Sequence, residues 1–242
     1  MSIAANLARI REEMAHSCRR AGRAESEVAL MAVSKMHPAA ALLEAYSAGL
    51  RLFGENRVQE WQEKSIATGP LAGAAFHLIG PLQSNKAARA AELFDAVDTV
   101  DSLKIATRLN AAAAALGKQL PILIEVKLSH EESKHGIAPA DLPALLTELA
   151  PLESLIPTGL MTVPPWPADL AHAGEEARPY FRELRRLRDA SLAKCPTLTQ
   201  LSMGMSNDFA AAIEEGSTCI RIGTALFGKR TPHLLPSSNL EA

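Results

Sequence analysis

Eight short apolar runs recur along the chain, each followed by a stretch at helical spacing, and every connection is long enough for a parallel crossover. The runs are 28–34, 52–54, 76–79, 94–100, 121–128, 156–163, 198–202 and 218–222. This alternation demands a parallel sheet with both faces covered. Two architectures meet the demand: an open doubly wound sheet and a closed barrel. The runs are uniformly short, and the 242 residues are close to the ~250 typical of a barrel. The expected fold class is therefore α/β, a single (β/α)8 TIM barrel over residues 1–228. An extra N-terminal helix over 3–21 precedes it, with Ile3, Leu7, Ile10 and Met14 at helical spacing and Gly22 closing it. No C-terminal β-domain is expected, and 229–242 reads as a flexible tail.

Composition limits the partners. Alanine and leucine must fill most of the core, because only 4% of residues are aromatic although 48% are hydrophobic. A net charge of −2 gives no reason to expect nucleic acid or an acidic membrane surface. Cys18, Cys195 and Cys219 are far apart and lack CxxC spacing, as in a protein with reduced thiols. The start of the chain is amphipathic and carries acids, and no apolar run approaches a membrane span. A cytoplasmic protein is the expectation. The basic run from Arg182 to Arg188 reads as the solvated face of a long helix over 172–194.

In a barrel of this kind the chemistry lies at the C-terminal ends of the strands, and phosphates commonly sit after strands seven and eight. Residues 201–228 supply both of those ends. Met203-Gly204-Met205 breaks the seventh run, Ser206-Asn207-Asp208 offers N-cap side chains to a helix from Phe209, and Gly223-Thr224 opens a last helical turn. Each turn sets backbone N–H groups beside a hydroxyl, Ser206 in one and Thr224 in the other, which suits an anion as well as an ordinary strand-to-helix turn. Arg221 lies mid-strand, and alternation puts it opposite Ile220 and Ile222. Facing the inner side of the sheet it needs acceptors, which a ligand would supply. Lys35 ends the first strand on the same face as Met31 and Val33. It either snorkels to solvent or presents a desolvated, nucleophilic amine at the mouth of an apolar tube. An inward amine, an anion cradle and an inward guanidinium together suit a ligand with an aldehyde, a phosphate and a ring nitrogen, and pyridoxal 5'-phosphate has all three.

Several stretches resemble the pyridoxal phosphate homeostasis proteins: AVSK at 32–35, FGENRVQE at 53–60, FHLIGPLQSNK at 76–86, KLSHEESKHG at 127–136, GLMTVP at 159–164 and the whole of 201–228. The resemblance implies the barrel of alanine racemase without its β-domain. It also implies a Schiff base on Lys35, with Ser206, Gly223 and Thr224 on the phosphate and Ser202 and Met203 in the same turn. Arg221 would face the pyridine nitrogen and Asn56 would lie near the ring. The chain departs from the family pattern at His37, where a second lysine is common, and at Lys127, where asparagine is common.

Two activities compete for such a site. Racemisation needs a stabilised carbanion and two opposed bases. A guanidinium keeps its proton, so the ring nitrogen would stay unprotonated and the cofactor would be a weaker electron sink. The tyrosines, Tyr46 and Tyr180, fall in crossover helices, and His37 or Lys134 would have to serve as the second base. The expectation is a cofactor holder in intracellular pyridoxal phosphate homeostasis, monomeric and without strong catalysis of its own. A neighbouring lysine, Lys127 or Lys134, could pass the cofactor transiently to apo-enzymes. A Schiff-base aldolase acting on a phosphorylated sugar is a third reading.

Overall fold

A computed structural model describes residues 2–129, 131 and 134–228. Among them, eight parallel strands pair in chain order and close into a barrel when β1 (Ala29–Val33) meets β8 (Cys219–Ile222). The others are β2 (Leu52–Glu55), β3 (Ala75–Leu78), β4 (Ala96–Val100), β5 (Leu120–Glu125), β6 (Leu155–Met161) and β7 (Gln200–Ser202). The outer layer consists of α2 (Ala39–Ser47), α3 (Val58–Thr68), α4 (Ala87–Leu93), α5 (Leu103–Ala115), α6 (Leu142–Leu149), α7 (Ala173–Ser191), α8 (Phe209–Glu214) and α9 (Thr224–Phe227). The barrel and its eight strands agree with the alternation of the sequence. The C-terminal segment 229–242 lies outside the described residues.

The additional N-terminal helix is α1 (Ile3–Arg20), capped by the Ser2 side chain, which accepts a bond from the Ala5 N–H at 3.3 Å. It buries Ile3, Leu7, Ile10, Met14 and Cys18 and packs against α8 and α9. Polar bonds fix its register: Asn6 Nδ2 donates to the Leu226 carbonyl at 2.9 Å, and Arg20 pairs with Glu214 at 2.6 Å.

Most of the core lies between strands and helices. The few aromatics concentrate at one place, where Trp61 of α3 stacks on Phe76 of β3 at 3.8 Å and Phe53 of β2 stacks on Phe76 at 5.2 Å. Outward Phe53 and Phe76 leave their neighbours Gly54 and His77, which are register partners, to face the barrel axis. Gly80 allows the loops after β2 and β3 to touch, since a Cβ there would sit 2.3 Å from the Asn56 carbonyl oxygen.

Several boundaries differ from expectation. Strand two runs on through Glu55, and strand five stops there at Glu125 rather than 128. The three polar residues before α8 do not cap it in the usual way. Asp208 is the N-cap, makes no capping bond, and accepts instead from the Met205 N–H. Of arginines 182 to 188, Arg182, Arg185 and Arg186 form the expected solvated face, whereas Arg188, more covered, donates to the Thr199 carbonyl at 2.6 Å.

Candidate functional site

The end of β1 and the end of β8 are neighbours because those strands form the seam of the barrel. Met31 is the register partner of Arg221, and Ala32 of Ile222. Continuing that ladder brings Gly223 beside Val33, where a glycine Cβ would lie 3.6 Å from the Val33 carbonyl oxygen. Two residues further, Lys35 lies in the turn leaving β1. His37 in that turn stacks on Phe227 of α9, with ring centroids 4.9 Å apart. The turns after β7 and β8 also meet, since Ser206 Oγ accepts from the Ala225 N–H at 3.2 Å. Gly204 makes the first of these turns with φ at +97°, and a Cβ there would come 2.5 Å from that of Ala212. Its carbonyl accepts from the Arg221 N–H at 2.9 Å. Lys35, Ser206, Gly223 and Thr224 thus share one rim, partly or fully open to solvent. Asn56 lies on the same rim, just past β2.

Arg221 points into the barrel, as alternation requires, with Ile220 and Ile222 packed in the surrounding core. The residue is 5% exposed, yet the acceptors of its guanidinium come from the chain itself. Nη1 donates to the Ser202 carbonyl at 2.6 Å and to Ser202 Oγ at 2.8 Å, and Nη2 donates to the Thr162 carbonyl at 2.8 Å. The expectation that a ligand must supply them is corrected: Ser202 at the end of β7 and Thr162 just past β6 do so. These three bonds do not exhaust the five N–H groups of a guanidinium. Ser202 is fully buried and its hydroxyl is engaged with Arg221, and the Met203 side chain packs into the core. Both residues shape the turn after β7 from below.

The barrel interior around Arg221 is rich in acids. Burial pushes the Glu125 carboxyl up to about 7, against the pull of Arg221. Burial likewise raises Asp208, opposed by the Met205 N–H and Arg221, and lifts the Cys219 thiol to about 12. His77 Nδ1 lies 3.1 Å from Asp98 Oδ1. Burial works against the charged imidazole there, but Asp98 outweighs it and the His77 pKa rises. Lys134 donates to the Pro164 carbonyl at 3.1 Å, tying the loops after β5 and β6 together.

One group escaped the sequence reading. Behind Lys35, between the strand ends and α3, Lys64 Nζ donates to Glu55 Oε1 at 2.7 Å and to the Ser34 carbonyl at 2.8 Å. Ser34 Oγ donates to the same Glu55 oxygen at 2.7 Å. The sequence signal was an acid, Glu55, ending an apolar strand, with a lysine nine residues later on the helix that covers it.

The alanine racemase N-terminal domain family matches residues 4–231. The pyridoxal phosphate homeostasis protein of Escherichia coli is 44% identical over 230 residues, which cover 94% of this chain and 97% of that protein. Its counterpart in Pseudomonas aeruginosa is 46% identical over 231 residues, 95% of this chain and 96% of that one. This chain belongs to the pyridoxal phosphate homeostasis protein family. Among solved structures of the family, PipY of Synechococcus elongatus with pyridoxal phosphate bound is 41% identical and superposes with a TM-score of 0.82, over 94% of this chain and all of PipY (100%). Alanine racemase from Bartonella henselae, at 17% identity and a TM-score of 0.66, shares the barrel fold. That match takes in 97% of this chain and 61% of the racemase.

Proposed function

We propose that this chain holds pyridoxal 5'-phosphate covalently through Lys35 and serves intracellular pyridoxal phosphate homeostasis without strong catalysis of its own. The observation that carries the reading is convergence at the barrel seam: the Lys35 turn, linked by the His37–Phe227 stack, adjoins two turns bridged by Ser206 and Ala225. The donor set fits the group. Lys35 offers an amine, the turns at Ser206 and Gly223-Thr224 offer N–H groups and hydroxyls to a phosphate, and Arg221 has N–H donors left for a ring nitrogen. Ser202 and Met203 support the first turn, and Asn56 stands at the edge of the ring.

When bound, the cofactor supplies an aldehyde that joins an amine with loss of water. The residues around it hold rather than convert. Burial lowers the Arg221 pKa from its very high ordinary value, yet a guanidinium still keeps its proton near neutral pH and so donates to a ring nitrogen instead of protonating it. Lys35 sits partly exposed on an accessible rim, where an incoming amine could displace it. Transient partners of this kind would be apo-enzymes that need the cofactor. The reading extends to a monomeric, cytoplasmic protein with no nucleic-acid or membrane partner. It is supported by three unpaired thiols, by the scatter of exposed large apolar side chains such as Ile66, Leu116 and Trp166, and by described helices none of which is long and apolar enough to cross a membrane.

Borohydride reduction followed by peptide mass spectrometry tests the central claim. The adduct should map to Lys35 and vanish in Lys35→Ala; a colourless protein that gains no visible band with added pyridoxal phosphate would refute it. Chiral analysis after incubation with L-alanine tests the holder role, which racemisation at an ordinary enzymatic rate would end. Light scattering should return the monomer mass.

A further inference from the structure

The turn that carries Lys35 is strained and is gripped from behind at Ser34 and Met36. Ser34 accepts from the His37 N–H at 3.1 Å, closing a four-residue turn with Lys35 and Met36 at its centre. Met36 has φ at +61° and is the only non-glycine residue in the left-handed region among the described residues. The third position of such a turn normally takes glycine, so a methionine there needs support from its surroundings. The support is a buried cluster on the outer side of β1 and β2. Lys64, 7% exposed, donates to the Ser34 carbonyl, to Glu55 Oε1 and, at 3.2 Å, to Glu60 Oε1. Glu55, fully buried, accepts from Ser34 Oγ, and Glu60 accepts from the Met36 N–H. The Ser34 N–H donates to the Gly54 carbonyl at 3.1 Å. Both residues flanking Lys35 are therefore pinned to the helix side, and alternation turns Lys35 itself towards the barrel mouth.

From this geometry we propose that Glu55, Glu60 and Lys64 are positioning residues for Lys35: a bracket that holds a strained turn so that the amine is aimed at the anion cradle. The proposal rests on the reading of Lys35 as the anchoring amine. The cluster's composition supports it. Packing alone would be served by apolar residues between a strand and a helix, and a buried ion pair is weak evidence for stability but can fix one arrangement among several. Here the atoms it fixes belong to the backbone and side chain beside Lys35. The cluster leaves the phosphate turns alone, because those hang from β7 and β8. Aim and cradle should consequently be separable by mutation.

The test compares two ligands on the purified full chain. Pyridoxal 5'-phosphate reads both cradle and amine, through the rate at which the visible adduct band appears. Pyridoxine 5'-phosphate, with an alcohol in place of the aldehyde, reads the cradle alone. Glu60→Ala, at a partly exposed position, should slow adduct formation by about tenfold, as expected for a misplaced reacting group, while pyridoxine phosphate binds within about twofold of wild type. Glu60→Gln keeps an acceptor at the same reach and should restore most of the rate. Adding Met36→Gly to Glu60→Ala should also restore it, because glycine adopts the left-handed conformation without support. Ser34→Ala should show a smaller loss of the same kind.

Wild-type rates in both Glu60→Ala and Ser34→Ala would overturn the proposal. So would a parallel loss of rate and of pyridoxine phosphate affinity, which marks a merely structural cluster. If wild type forms no adduct at all, the anchoring role of Lys35 fails instead. The bracket is then read by reductive methylation of Lys35 in ligand-free protein, followed by peptide mass spectrometry, and an unchanged rate in Glu60→Ala would refute it independently.

Discussion

Lys64 and Arg221 are both buried cations at the C-terminal end of the same barrel, and they are satisfied in opposite ways. Lys64, outside the strands, is neutralised by two carboxylates, Glu55 at 2.7 Å and Glu60 at 3.2 Å. Arg221, inside them, is bonded to two carbonyls and a hydroxyl, and among the described residues no carboxylate forms an ion pair with it. Glu125, Asp208 and Asp98 act on it only at longer range. Carbonyl dipoles orient a guanidinium without cancelling its charge. The difference separates a cation whose field ends at its partners from one whose field reaches the barrel mouth. The first arrangement holds the Lys35 turn in place, and the second leaves a positive charge facing the barrel mouth.

The contrast is broken or sharpened by four measurements. Lys64→Met should cost the most, about 3–5 kcal/mol in urea unfolding, because Glu55 is left buried without its counter-charge. Adding Glu55→Leu should return most of that loss; if the double variant is no better than the single, Lys64 and Glu55 are not acting as a pair.

Glu125 reports the field of Arg221. Burial raises its carboxyl to about 7, above the ordinary carboxylate value, so the folded chain holds a proton that the unfolded chain has released. Stability should therefore fall as pH rises from about 4.5 to about 7 and level off above, by at most ~3 kcal/mol. Glu125→Gln should flatten that slope, read by unfolding at a series of pH values.

Arg221→Met should cost about 1–3 kcal/mol, since it strands the Ser202 and Thr162 carbonyls without leaving an opposed charge. It should also weaken pyridoxal phosphate binding and move the Glu125 midpoint upward, whereas Lys64→Met leaves that midpoint in place. Equal midpoints in the two variants, followed by carbon NMR of the carboxyl, would erase the distinction. The smallest effect is expected from Ser202→Ala, about 1 kcal/mol, because the Ser202 carbonyl still accepts from Arg221.

Residue pattern alone reached the barrel, the inward side of Arg221 and the shared rim of Lys35 and the two glycine turns. All three follow from alternation, which is set by local sequence. What it missed depended on contacts between elements. Arg221 was expected to lack acceptors, because nothing in CIRIG announces that the Ser202 and Thr162 carbonyls open towards it. Lys64 gives no signal of its own in the sequence, since a Glu60–Lys64 pair at i,i+4 is what an exposed helix face normally carries. Only the placement of Glu55 beneath that helix turns the pair into a buried cluster. The polar triplet before α8 looked like a cap, but Asp208 turns back to the Met205 N–H within its own loop.

The seam between β1 and β8 has a consequence for synthesis. Strand β1 waits for Arg221 to arrive opposite Met31, and Asn6 waits for the Leu226 carbonyl. At ordinary ribosomal speeds one edge of β1 stays open for roughly 10–40 s while the intervening chain is made. Unpaired strand edges invite association between nascent chains, and this one is joined only by β8, the last strand of the barrel to be made. The same late-arriving turns build the rim around Lys35, so completion of the barrel and completion of the site are one event.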